Sequence, residues 1–600
     1  MCEMKYISVI LPLKLEWEPC YCISTQREIH NQIETGQRVR IKFAGKEYIG
    51  VVSGVDITPD IEPEKIQHVL EVETSMEKVL PEEIALWRRV AEYYLCTVGE
   101  VYKAAYPAGK INLEEARAEA REKAVQRRQK LAANIQKRLQ TLLDRLQKKQ
   151  EQLQKSRENT KSRIKLESDI VKISEDIRKA ETSLDAARKN VEVAKTRLSL
   201  NETCLPECKV QLTEAQQKAY NQIKEGFKVQ KPVMLHGVTG SGKTEIYIKA
   251  AYETLTKGRN VLYLVPEIAL SRQLEDRLYE HFEDRLLIFH SGETATAKRN
   301  IAEIIRSQRN SEGNYILLGT RSSLFLPHHD LGLIIVDEEH DSSYKQDSPA
   351  PRYNGRDTAL MLYLLQNTTK QEAACNILLG SATPSLEEMY NCMSGRHLKI
   401  DLTERYHGAD DAETEIIDTK AERRKRGMIG NFSRILIGHI NNALAEGGQV
   451  LILRARRAWA TALQCESCGE IQKCPHCNVS LSFHKAAGQQ KCHYCGKTIA
   501  HTGNCSKCGG NLMPLGAGTQ KIEEEAIQLF PNARIARLDS DTAQNKTYEK
   551  QIVKTFANGD IDILIGTQIV TKGFDFGNLS MVAVIAADAF LGMQDFRADE

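Results

Sequence analysis

The sequence has no long uninterrupted apolar run and almost no net charge. No stretch approaches the roughly eighteen consecutive apolar residues of a membrane-spanning helix, so we expect no membrane segment. The first apolar run, at residues 6–15, contains Pro12 and Lys14 and lacks a small-residue cleavage site, which argues against a signal peptide. A net charge of +2 gives no global attraction to a polyanion, so any nucleic-acid surface must be local. We therefore expect a multidomain cytoplasmic protein.

Glycine and proline, the residues that most often interrupt helices, are both missing from residues 113–200. Apolar residues recur there at three- and four-residue spacing on either side of a polar interruption at residues 156–162, which predicts a coiled-coil helical hairpin. The first arm is basic, but such helices more often carry a solvated face than bind phosphates. The predicted seam positions are Ile135, Leu139, Leu142, Leu146 and Leu153, then Ile170, Ile173, Ile177, Ala180, Leu184, Ala187, Val191, Ala194 and Leu198.

Disulfides are not expected, although the chain has 16 cysteines. In a reducing compartment, paired cysteines at C-x-x-C spacing predict metal binding. Four thiolates satisfy one tetrahedral zinc ion, so eight predict two closed structural sites, while the spacing leaves three ways to group the pairs. The nearby His476, His484, His493 and His501 are interpreted as bystanders. The eight paired cysteines are Cys465, Cys468, Cys474, Cys477, Cys492, Cys495, Cys505 and Cys508.

A phosphate-binding loop of the form G-x-x-x-x-G-K-T follows the apolar run at residues 233–235. In this arrangement a strand is followed by a glycine loop and then by a helix. The loop's backbone N–H groups can then point toward phosphate oxygens at the helix N-terminus. Lys243 would reach the terminal phosphates and Thr244 would ligate magnesium. The predicted nucleotide-binding residues are Gly237, Val238, Thr239, Gly240, Ser241, Gly242, Lys243 and Thr244.

Apolar runs continue after this loop and predict parallel sheets covered by helices on both faces. The cysteine block interrupts the second of two sets of runs. Before residue 107, short β-rich runs, a turn at Gly45 and a helix at residues 81–94 predict a small β-rich domain. The first set of runs lies at residues 233–235, 261–265, 286–289, 315–318, 333–336 and 376–379, and the second at residues 449–453, 534–538, 562–565 and 581–585.

Carboxylates and hydroxyls follow two of these runs, at the strand ends where α/β proteins bind ligands. Asp337 can hold magnesium through its water shell, and Glu338 can orient a water that attacks the γ-phosphate. His340 is placed to couple the nucleotide to a neighbouring motif. That motif contains Ser381 and Thr383, and the series is typical of a nucleic-acid-dependent ATPase.

These motifs resemble those of the primosomal protein N-prime (PriA) family, the bacterial replication-restart DNA helicases. The resemblance is strong over residues 210–600 and weaker over residues 5–107, and it rests on Gly237-Val-Thr-Gly-Ser-Gly-Lys-Thr-Glu245, Ile335-Val-Asp-Glu-Glu-His340, Gly380-Ser-Ala-Thr-Pro-Ser-Leu-Glu387 and the cysteine block. It implies an α/β fold with two RecA-like helicase lobes and a zinc-binding insertion in the second. The expected domains are residues 1–107, β-rich and binding a DNA 3′ end; 108–203, the coiled-coil hairpin; 204–400, lobe 1; 401–462 and 513–600, the two parts of lobe 2; and 463–512, the double zinc insertion.

The resemblance further implies an ATP-dependent helicase that moves 3′ to 5′, acts at stalled forks and D-loops, and helps reload the replicative helicase. Its cofactors would be ATP, magnesium and two zinc ions. Its partners would be forked and single-stranded DNA, single-stranded-DNA-binding protein, other primosome proteins and the replicative helicase.

Residue roles also follow from the resemblance. One zinc ion would bind Cys465, Cys468, Cys505 and Cys508, and the other Cys474, Cys477, Cys492 and Cys495. Gln216 would contact adenine, and residues 344–356 resemble the family's aromatic-rich loop, which couples DNA to ATP hydrolysis. The residues implied in DNA contact or coupling are Thr320, Arg321, Tyr344, Lys345, Arg352, Tyr353, Ser381, Thr383, Gln568 and Lys572.

The chain departs from the family pattern in four places. Pro19-Cys20-Tyr21 stands where Phe-Asp-Tyr is usual in the 3′-end pocket, and the coiled coil replaces a winged-helix domain. Ala455-Arg-Arg-Ala458 replaces Asn-Arg-Arg-Gly, and the sequence stops at Glu600, before the family's arginine-finger motif. We expect the natural chain to continue past that point. Two alternatives remain: a non-catalytic zinc and coiled-coil module that binds branched DNA and recruits partners, and an RNA helicase or duplex translocase.

Overall fold

The computed structural model divides the chain into two units, Met1–Asp410 and Asp411–Glu600. The described residues are 5–23, 33–59, 61–73, 78–105, 205, 208–267, 272–290, 295–307, 314–369, 375–405, 413–454, 463–477, 479–484, 489–492, 495–500, 503–514, 519–538, 546–567 and 576–587, with separate helical positions between 126 and 153 and between 170 and 188.

The first unit begins with the predicted β-rich domain, an antiparallel sheet in the strand order β2-β1-β4-β3-β5. Ala44 and Gly45 turn β3 into β4 with positive φ angles of 47° and 81°, the backbone that a two-residue hairpin turn requires. The turn that was predicted at Gly45 is therefore confirmed and joins two strands of a hairpin, whereas the short β2 and β5 were not predicted. The strands are β1 (Lys5–Ile10), β2 (Cys20–Ile23), β3 (Arg38–Phe43), β4 (Lys46–Val55) and β5 (Glu71–Val72).

Two helices, α1 (Pro81–Tyr93) and α2 (Val98–Ala105), attach this sheet to the rest of the unit. Pro81 opens α1 at a position where a helix needs no N–H donor, and the Glu83 carboxylate accepts a hydrogen bond from the Leu80 N–H at 2.8 Å. The buried face of α1 includes Trp87, which is 0% exposed and packs in the same hydrophobic core as the following α/β sheet. The β-rich domain is thus joined to this sheet through a continuous core.

The α/β part of the first unit, called lobe 1, is a seven-stranded parallel sheet in the order β12-β6-β11-β10-β7-β9-β8. Its strands are β6 (Val233–Gly237), β7 (Asn260–Leu264), β8 (Leu286–Phe289), β9 (Ile316–Gly319), β10 (Leu331–Asp337), β11 (Asn376–Ser381) and β12 (Leu398–Leu402). Its helices are α3 (Glu214–Lys228), α4 (Lys243–Thr256), α5 (Arg272–Phe282), α6 (Ala295–Ser307), α7 (Gly355–Thr369) and α8 (Leu386–Met393), with 3-10 turns at Glu283–Arg285, Arg321–Phe325 and Ser342–Tyr344.

The parallel sheet confirms the six strands that were predicted for lobe 1. The seventh strand, β12, was not predicted because Lys399 and Asp401 alternate with its apolar residues, as expected for a strand at the edge of the sheet. Helix α3 begins with a capping box: the Thr213 hydroxyl accepts from the Gln216 N–H, and the Gln216 side chain accepts from the Thr213 N–H.

We expect a buried histidine in lobe 1, His328, to make the stability of the folded chain sensitive to acid. His328 Nε2 lies 2.8 Å from the Ser323 carbonyl oxygen and Nδ1 lies 3.3 Å from the Tyr315 hydroxyl, a pairing that suits a neutral ring. Burial lowers the pKa of His328 from 6.5 to about 4. The neutral ring thus contributes stability that is fully present above pH 6.5. As the pH falls toward 4, the unfolded chain takes up the proton before the folded chain does, which lowers the free energy of unfolding by about 3 kcal/mol.

Replacing His328 with glutamine should therefore reduce the loss of thermal stability between pH 6.5 and pH 4. The amide can still donate to Ser323 and accept from Tyr315 but has no proton to gain. The exposed His439→Gln is the matched control and should follow the wild type. Equal acid sensitivity in all three proteins would contradict the assigned role of His328.

The second unit contains a four-stranded parallel sheet, called lobe 2, in the order β21-β22-β15-β23. The cysteine block lies between β15 and β21 in the chain, as predicted. The strands are β13 (Met428–Ile429), β14 (Phe432–Ser433), β15 (Gln449–Arg454), β16 (Leu463–Cys465), β17 (Ser482–His484), β18 (Gln489–Lys491), β19 (Thr498–Ala500), β20 (Leu512–Pro514), β21 (Ile535–Leu538), β22 (Ile563–Gly566) and β23 (Leu579–Ile585). The helices are α9 (Thr419–Arg424), α10 (Arg434–Ala445), α11 (Thr519–Leu529) and α12 (Lys546–Ala557).

The predicted coiled-coil segment is helical at its described positions. Three seam residues of its second arm, Ile177, Ala180 and Leu184, are buried, while the pairing of the two arms stays a prediction. Residues 455–458, Gln568 and Lys572 lie outside the described part of the chain. Among the residues that the structure describes, no helix has the length and apolar character needed to cross a membrane.

Candidate functional site

The phosphate loop connects β6 to α4 at the carboxyl edge of the lobe 1 sheet. Gly240 and Gly242 have positive φ angles of 78° and 79°, which glycine adopts without the steric cost of a Cβ atom. A Cβ on Gly237 would lie 2.8 Å from Ser241 Oγ and 2.9 Å from Lys243 Cγ. The loop therefore folds closely over its own side chains, and α4 begins directly at Lys243, so the helix N-terminus faces the loop.

Three side chains test whether this loop fits a polyphosphate. Lys243 Nζ donates to the Gly237 carbonyl at 2.9 Å, across the loop that phosphates would fill. Ser241 Oγ is buried and has no hydrogen-bond partner among the described residues. Gln216 is 1% exposed and donates to the Ser241 carbonyl at 2.9 Å. These positions fit phosphate binding, but Gln216 braces the loop here, and its contact with adenine stays a prediction.

Asp337 ends β10, two strands from the phosphate loop, and Glu338 follows it with a φ angle of 46°. That left-handed backbone is uncommon outside glycine and turns the chain sharply at the sheet edge. Glu338 Oε1 lies 3.9 Å from Lys243 Nζ, so the structure brings the acidic pair and the loop lysine to the same edge of the sheet. Thr244 is half-buried in the first turn of α4.

Buried tyrosines surround Asp337, a feature that the sequence did not reveal. The Tyr263 hydroxyl donates to Asp337 Oδ2 at 3.3 Å, and the Tyr344 hydroxyl donates to the Asp337 carbonyl at 2.7 Å. A Cβ on Gly380 would lie 1.6 Å from the Tyr247 hydroxyl, so glycine is needed beside this cluster. Burial, and then the charge of neighbouring Glu338, raise the pKa of Asp337 above its ordinary value. A cation at the site would oppose both effects.

His340 joins the acidic motif to the next strand end. The Ser381 hydroxyl accepts from the Thr383 N–H at 2.9 Å and lies 2.7 Å from His340 Nδ1, so its proton is available to the ring. His340 Nε2 lies 3.4 Å from Thr383 Oγ1, and Nδ1 lies 3.6 Å from Glu338 Oε2. The structure thus brings His340, Ser381 and Thr383 together, the arrangement expected if His340 couples the two motifs.

The predicted aromatic-rich loop runs from the acidic motif into α7, and its tyrosines are buried. Tyr344 and Tyr353 are each 1% exposed, and Tyr353 packs edge-on against Phe325 at 4.9 Å between ring centroids. Neither ring offers a free face to a base, so this arrangement argues against direct stacking by these two residues. Their predicted coupling role stays open, because Tyr344 contacts the backbone of Asp337.

The cationic residues of the same region differ in exposure. Arg352 is exposed, and Lys345 is half-buried with its ammonium near the Arg352 carbonyl. Arg321 donates to the Ser343 carbonyl and pairs with Glu267 at 3.5 Å. Thr320 is 1% exposed. Among the implied DNA-contact residues described here, Arg352 and Lys345 are therefore the ones placed for a phosphate.

The sequence did not reveal the roles of Arg356 and Glu339. Glu339 belongs to the acidic motif, and Arg356 forms a buried ion pair with it. Arg356 Nη1 lies 3.1 Å from Glu339 Oε2 and 2.6 Å from Ser385 Oγ, while Nη2 lies 2.9 Å from Asp357 Oδ1. Glu339 also accepts from the Ser385 N–H at 2.7 Å. Its satisfied carboxylate identifies Glu339 as a support for the adjacent catalytic candidates rather than one of them.

The eight paired cysteines form two separate groups. The sulfur atoms within each group all lie within 4.8 Å of one another. Cys465 of the outer group lies in β16, which pairs with β20, and Cys492 of the inner group directly follows β18. The groups are Cys465, Cys468, Cys505 and Cys508, and Cys474, Cys477, Cys492 and Cys495, which confirms the nested grouping that the resemblance implied.

The donor geometry of both groups fits a tetrahedral zinc ion. Zn–S bonds of about 2.3 Å place sulfurs about 3.8 Å apart. The observed distances are 3.4 Å between Cys465 and Cys508 and 3.7 Å between Cys474 and Cys495. Neither group contains a histidine among the described residues, and exposed His476 lies 3.2 Å from Lys497 Nζ, in keeping with a bystander.

Four protein-family models match the chain. The 3′ DNA-binding domain of PriA matches residues 8–107, and the Cys-rich region domain of the PriA DNA helicase matches residues 474–499. The type III restriction enzyme res subunit matches residues 209–386, and the helicase conserved C-terminal domain matches residues 504–596. The chain therefore carries helicase domains in both units and PriA-specific domains beside them.

Proteins named replication restart protein PriA are similar to the chain over about 65% of its length. It is 35% identical over 394 residues to the one from Bacillus subtilis (strain 168), 65% of this chain and 47% of that protein. It is 40% identical over 392 residues to the one from Rickettsia typhi, and this match covers 65% of this chain and 58% of that protein. It is 38% identical over 414 residues to the one from Synechocystis sp., and this match covers 67% of this chain and 47% of that protein. The chain spans about half the length of these relatives. The similarity and the two PriA-specific domain matches together support a relationship of this chain to the PriA family.

Proposed function

We propose that the chain is an ATP-dependent DNA helicase of replication restart. The observation that carries this proposal is the meeting of Lys243 with Glu338 at one sheet edge, beside the hydrogen bond between His340 and Ser381. Nucleotide hydrolysis needs the first pair, and its coupling to another ligand needs a connection such as the second. Similarity to the PriA family makes DNA at a replication fork the expected ligand.

Each residue of the site would have a role in hydrolysis. The loop N–H groups and Lys243 would bind the β- and γ-phosphates of ATP, and Thr244 and Asp337 would hold magnesium. That ion supplies positive charge to the phosphate oxygens. Glu338, whose side chain is 36% exposed, would orient the attacking water in line with the γ-phosphate. His340 would then pass the change at the nucleotide to Ser381.

The DNA-binding surface would include the N-terminal domain, which matches a 3′ DNA-binding domain over residues 8–107. We propose single-stranded and forked DNA as ligands, with D-loops among the substrates and movement from 3′ to 5′. Lys345 and Arg352 would contact the strand through its phosphates. Cys20 lies in β2, within the Pro-Cys-Tyr departure from the family's 3′-end pocket, so terminus binding by this chain needs its own test.

The two cysteine groups would each bind one zinc ion and present a folded block beside lobe 2. We propose that this block serves unwinding and the recruitment of partner proteins. The family resemblance suggests single-stranded-DNA-binding protein, other primosome proteins and the replicative helicase as those partners. Because the substrate would be chromosomal DNA, we place the activity in the cytoplasm.

ATP hydrolysis by this chain with no nucleic acid, forked DNA, single-stranded DNA or single-stranded RNA tests the proposal. Forked and single-stranded DNA should stimulate turnover, and RNA should not. Glu338→Gln should retain ATP binding but lose turnover by about a hundredfold or more, because the amide orients water poorly. Its isosteric control is Glu446→Gln, at the exposed C-cap residue that follows α10, and this variant should match the wild type.

Each outcome has a distinct meaning. Stimulation by RNA equal to that by DNA would favour an RNA helicase or translocase. Fork binding without any turnover would favour the non-catalytic DNA-binding module. Turnover that survives Glu338→Gln would reject the assigned water-orienting residue.

A further inference from the structure

Tyr94, which directly follows α1 in the N-terminal domain, contacts the aromatic-rich loop. Lys345 Nζ lies over the Tyr94 ring, 5.2 Å from its centroid, within the range of a cation–π interaction. The Tyr94 hydroxyl lies 3.5 Å from Asp357 Oδ2. Burial, and then the Asp357 carboxylate, raise the pKa of Tyr94, so the hydroxyl keeps its proton and can donate to that carboxylate. Tyr94 thus contacts Lys345 near the start of the loop and Asp357 directly after its end.

Asp357 leads from this contact to the acidic motif. Its Oδ1 accepts from Arg356 Nε at 3.0 Å, and the same guanidinium pairs with Glu339 at 3.1 Å. The Glu339 side chain is 0% exposed and lies between Glu338 and His340 in the sequence. Tyr94, Asp357, Arg356 and Glu339 therefore form a continuous series of polar contacts from the N-terminal domain to the nucleotide site.

Helix α1 is held firmly at its other end. Glu83 pairs with Arg306 of α6 at 3.1 Å, and both side chains are nearly fully buried, at 4% and 2% exposure. Trp87, one turn further along α1, lies in the core shared with lobe 1. A buried ion pair and a buried indole fix the helix on the lobe, so Tyr94 is presented to the loop at a set position.

We propose that Tyr94 is a positioning residue that holds the aromatic-rich loop where DNA contact is passed, through Arg356, to Glu339. This inference rests on the proposed function. The inference gives the N-terminal domain a second task besides binding a DNA end, because this domain would also hold the coupling loop in position through Tyr94. The task does not require a 3′ terminus, and DNA without ends therefore separates the two tasks.

The experiment compares the full chain with Tyr94→Leu, Tyr94→Phe and Tyr93→Leu. Hydrolysis is measured without DNA and with circular single-stranded DNA, which has no 3′ end. Tyr94→Leu should keep the DNA-free rate and lower the maximal DNA-stimulated rate about tenfold, a typical size for coupling between sites, with little change in the ATP concentration at half-maximal rate. Tyr94→Phe keeps the ring under Lys345 and should retain most stimulation. Tyr93 is 60% exposed, so its variant should match the wild type.

Hydrogen exchange of residues 341–357, measured without nucleotide or DNA, gives a second and independent readout. Tyr94→Leu should exchange faster in this segment alone, and Tyr93→Leu should not. Normal stimulation of Tyr94→Leu by circular DNA, or unchanged exchange of the segment, would overturn the inference. A wild type that shows no DNA-stimulated hydrolysis would instead overturn the proposed function, while the exchange measurement would still test the contact itself.

Discussion

Lys243→Ala should lower ATP turnover by about two to three orders of magnitude, because it removes a fixed positive charge from the phosphate loop. The Lys243 side chain is 10% exposed, and its ammonium lies 2.9 Å from the Gly237 carbonyl and 3.9 Å from Glu338. The ammonium is therefore directed into the loop. Turnover at saturating forked DNA measures the loss.

Nucleotide affinity separates this variant from Glu338→Gln. Lys243→Ala should weaken both binding and turnover, since the lysine contacts phosphates before and during the reaction, whereas Glu338→Gln should affect turnover alone. Lys257→Ala, an exposed lysine at the end of the same helix, is the matched control and should leave both quantities unchanged. Turnover of Lys243→Ala near the wild-type rate would mean that hydrolysis occurs elsewhere.

Cys474→Ser should abolish the inner zinc site and unfold the strands beside it. Structural zinc contributes roughly 10–16 kcal/mol of binding free energy to a small domain, which is more than the whole stability of many domains. The described hydrophobic cluster at this site has three buried members, and two of them are the ligands Cys474 and Cys492. Without the metal, little apolar burial remains to order the strands.

Zinc content and two activities measure this second effect. The wild type should bind two zinc ions, Cys474→Ser one, and Cys392→Ser, a matched thiol outside both groups, two. Unwinding should fall much further than DNA-free hydrolysis, because the nucleotide residues lie in the other unit. Equal loss of both activities in a variant that stays folded would contradict this separation, and full metal content in Cys474→Ser would contradict the ligand assignment.

Local sequence patterns were sufficient for much of the fold and for part of the site. The glycine spacing predicted the phosphate loop, and apolar runs predicted the parallel strands, because both depend on neighbouring residues. The cysteine spacing predicted metal binding, but it left the grouping open. That grouping depends on β16 pairing with β20 across the whole block.

Contacts between distant segments could not be predicted from these patterns. Tyr94 and Asp357 are 263 residues apart in the chain, and nothing near either one indicates the other. The family resemblance implied DNA contact or coupling for Tyr344 and Tyr353, yet both rings fill the lobe 1 core. Arg356 was missed because an arginine at the start of a helix normally suggests solvent exposure, and only the fold brings it to Glu339.

The pairing of β16 with β20 has a consequence for how lobe 2 folds. Leu463 and Pro514 are register partners, so the chain enters and leaves the cysteine block at one place. Strand β15 must find β22 across more than a hundred intervening residues, and loop-closure entropy rises with the length of flexible chain between partners. If the outer cysteine group binds the metal ion that its sulfur geometry fits, the residues between β16 and β20 would form a folded unit rather than flexible chain. We therefore expect zinc uptake to speed the pairing of β15 with β22 when lobe 2 folds.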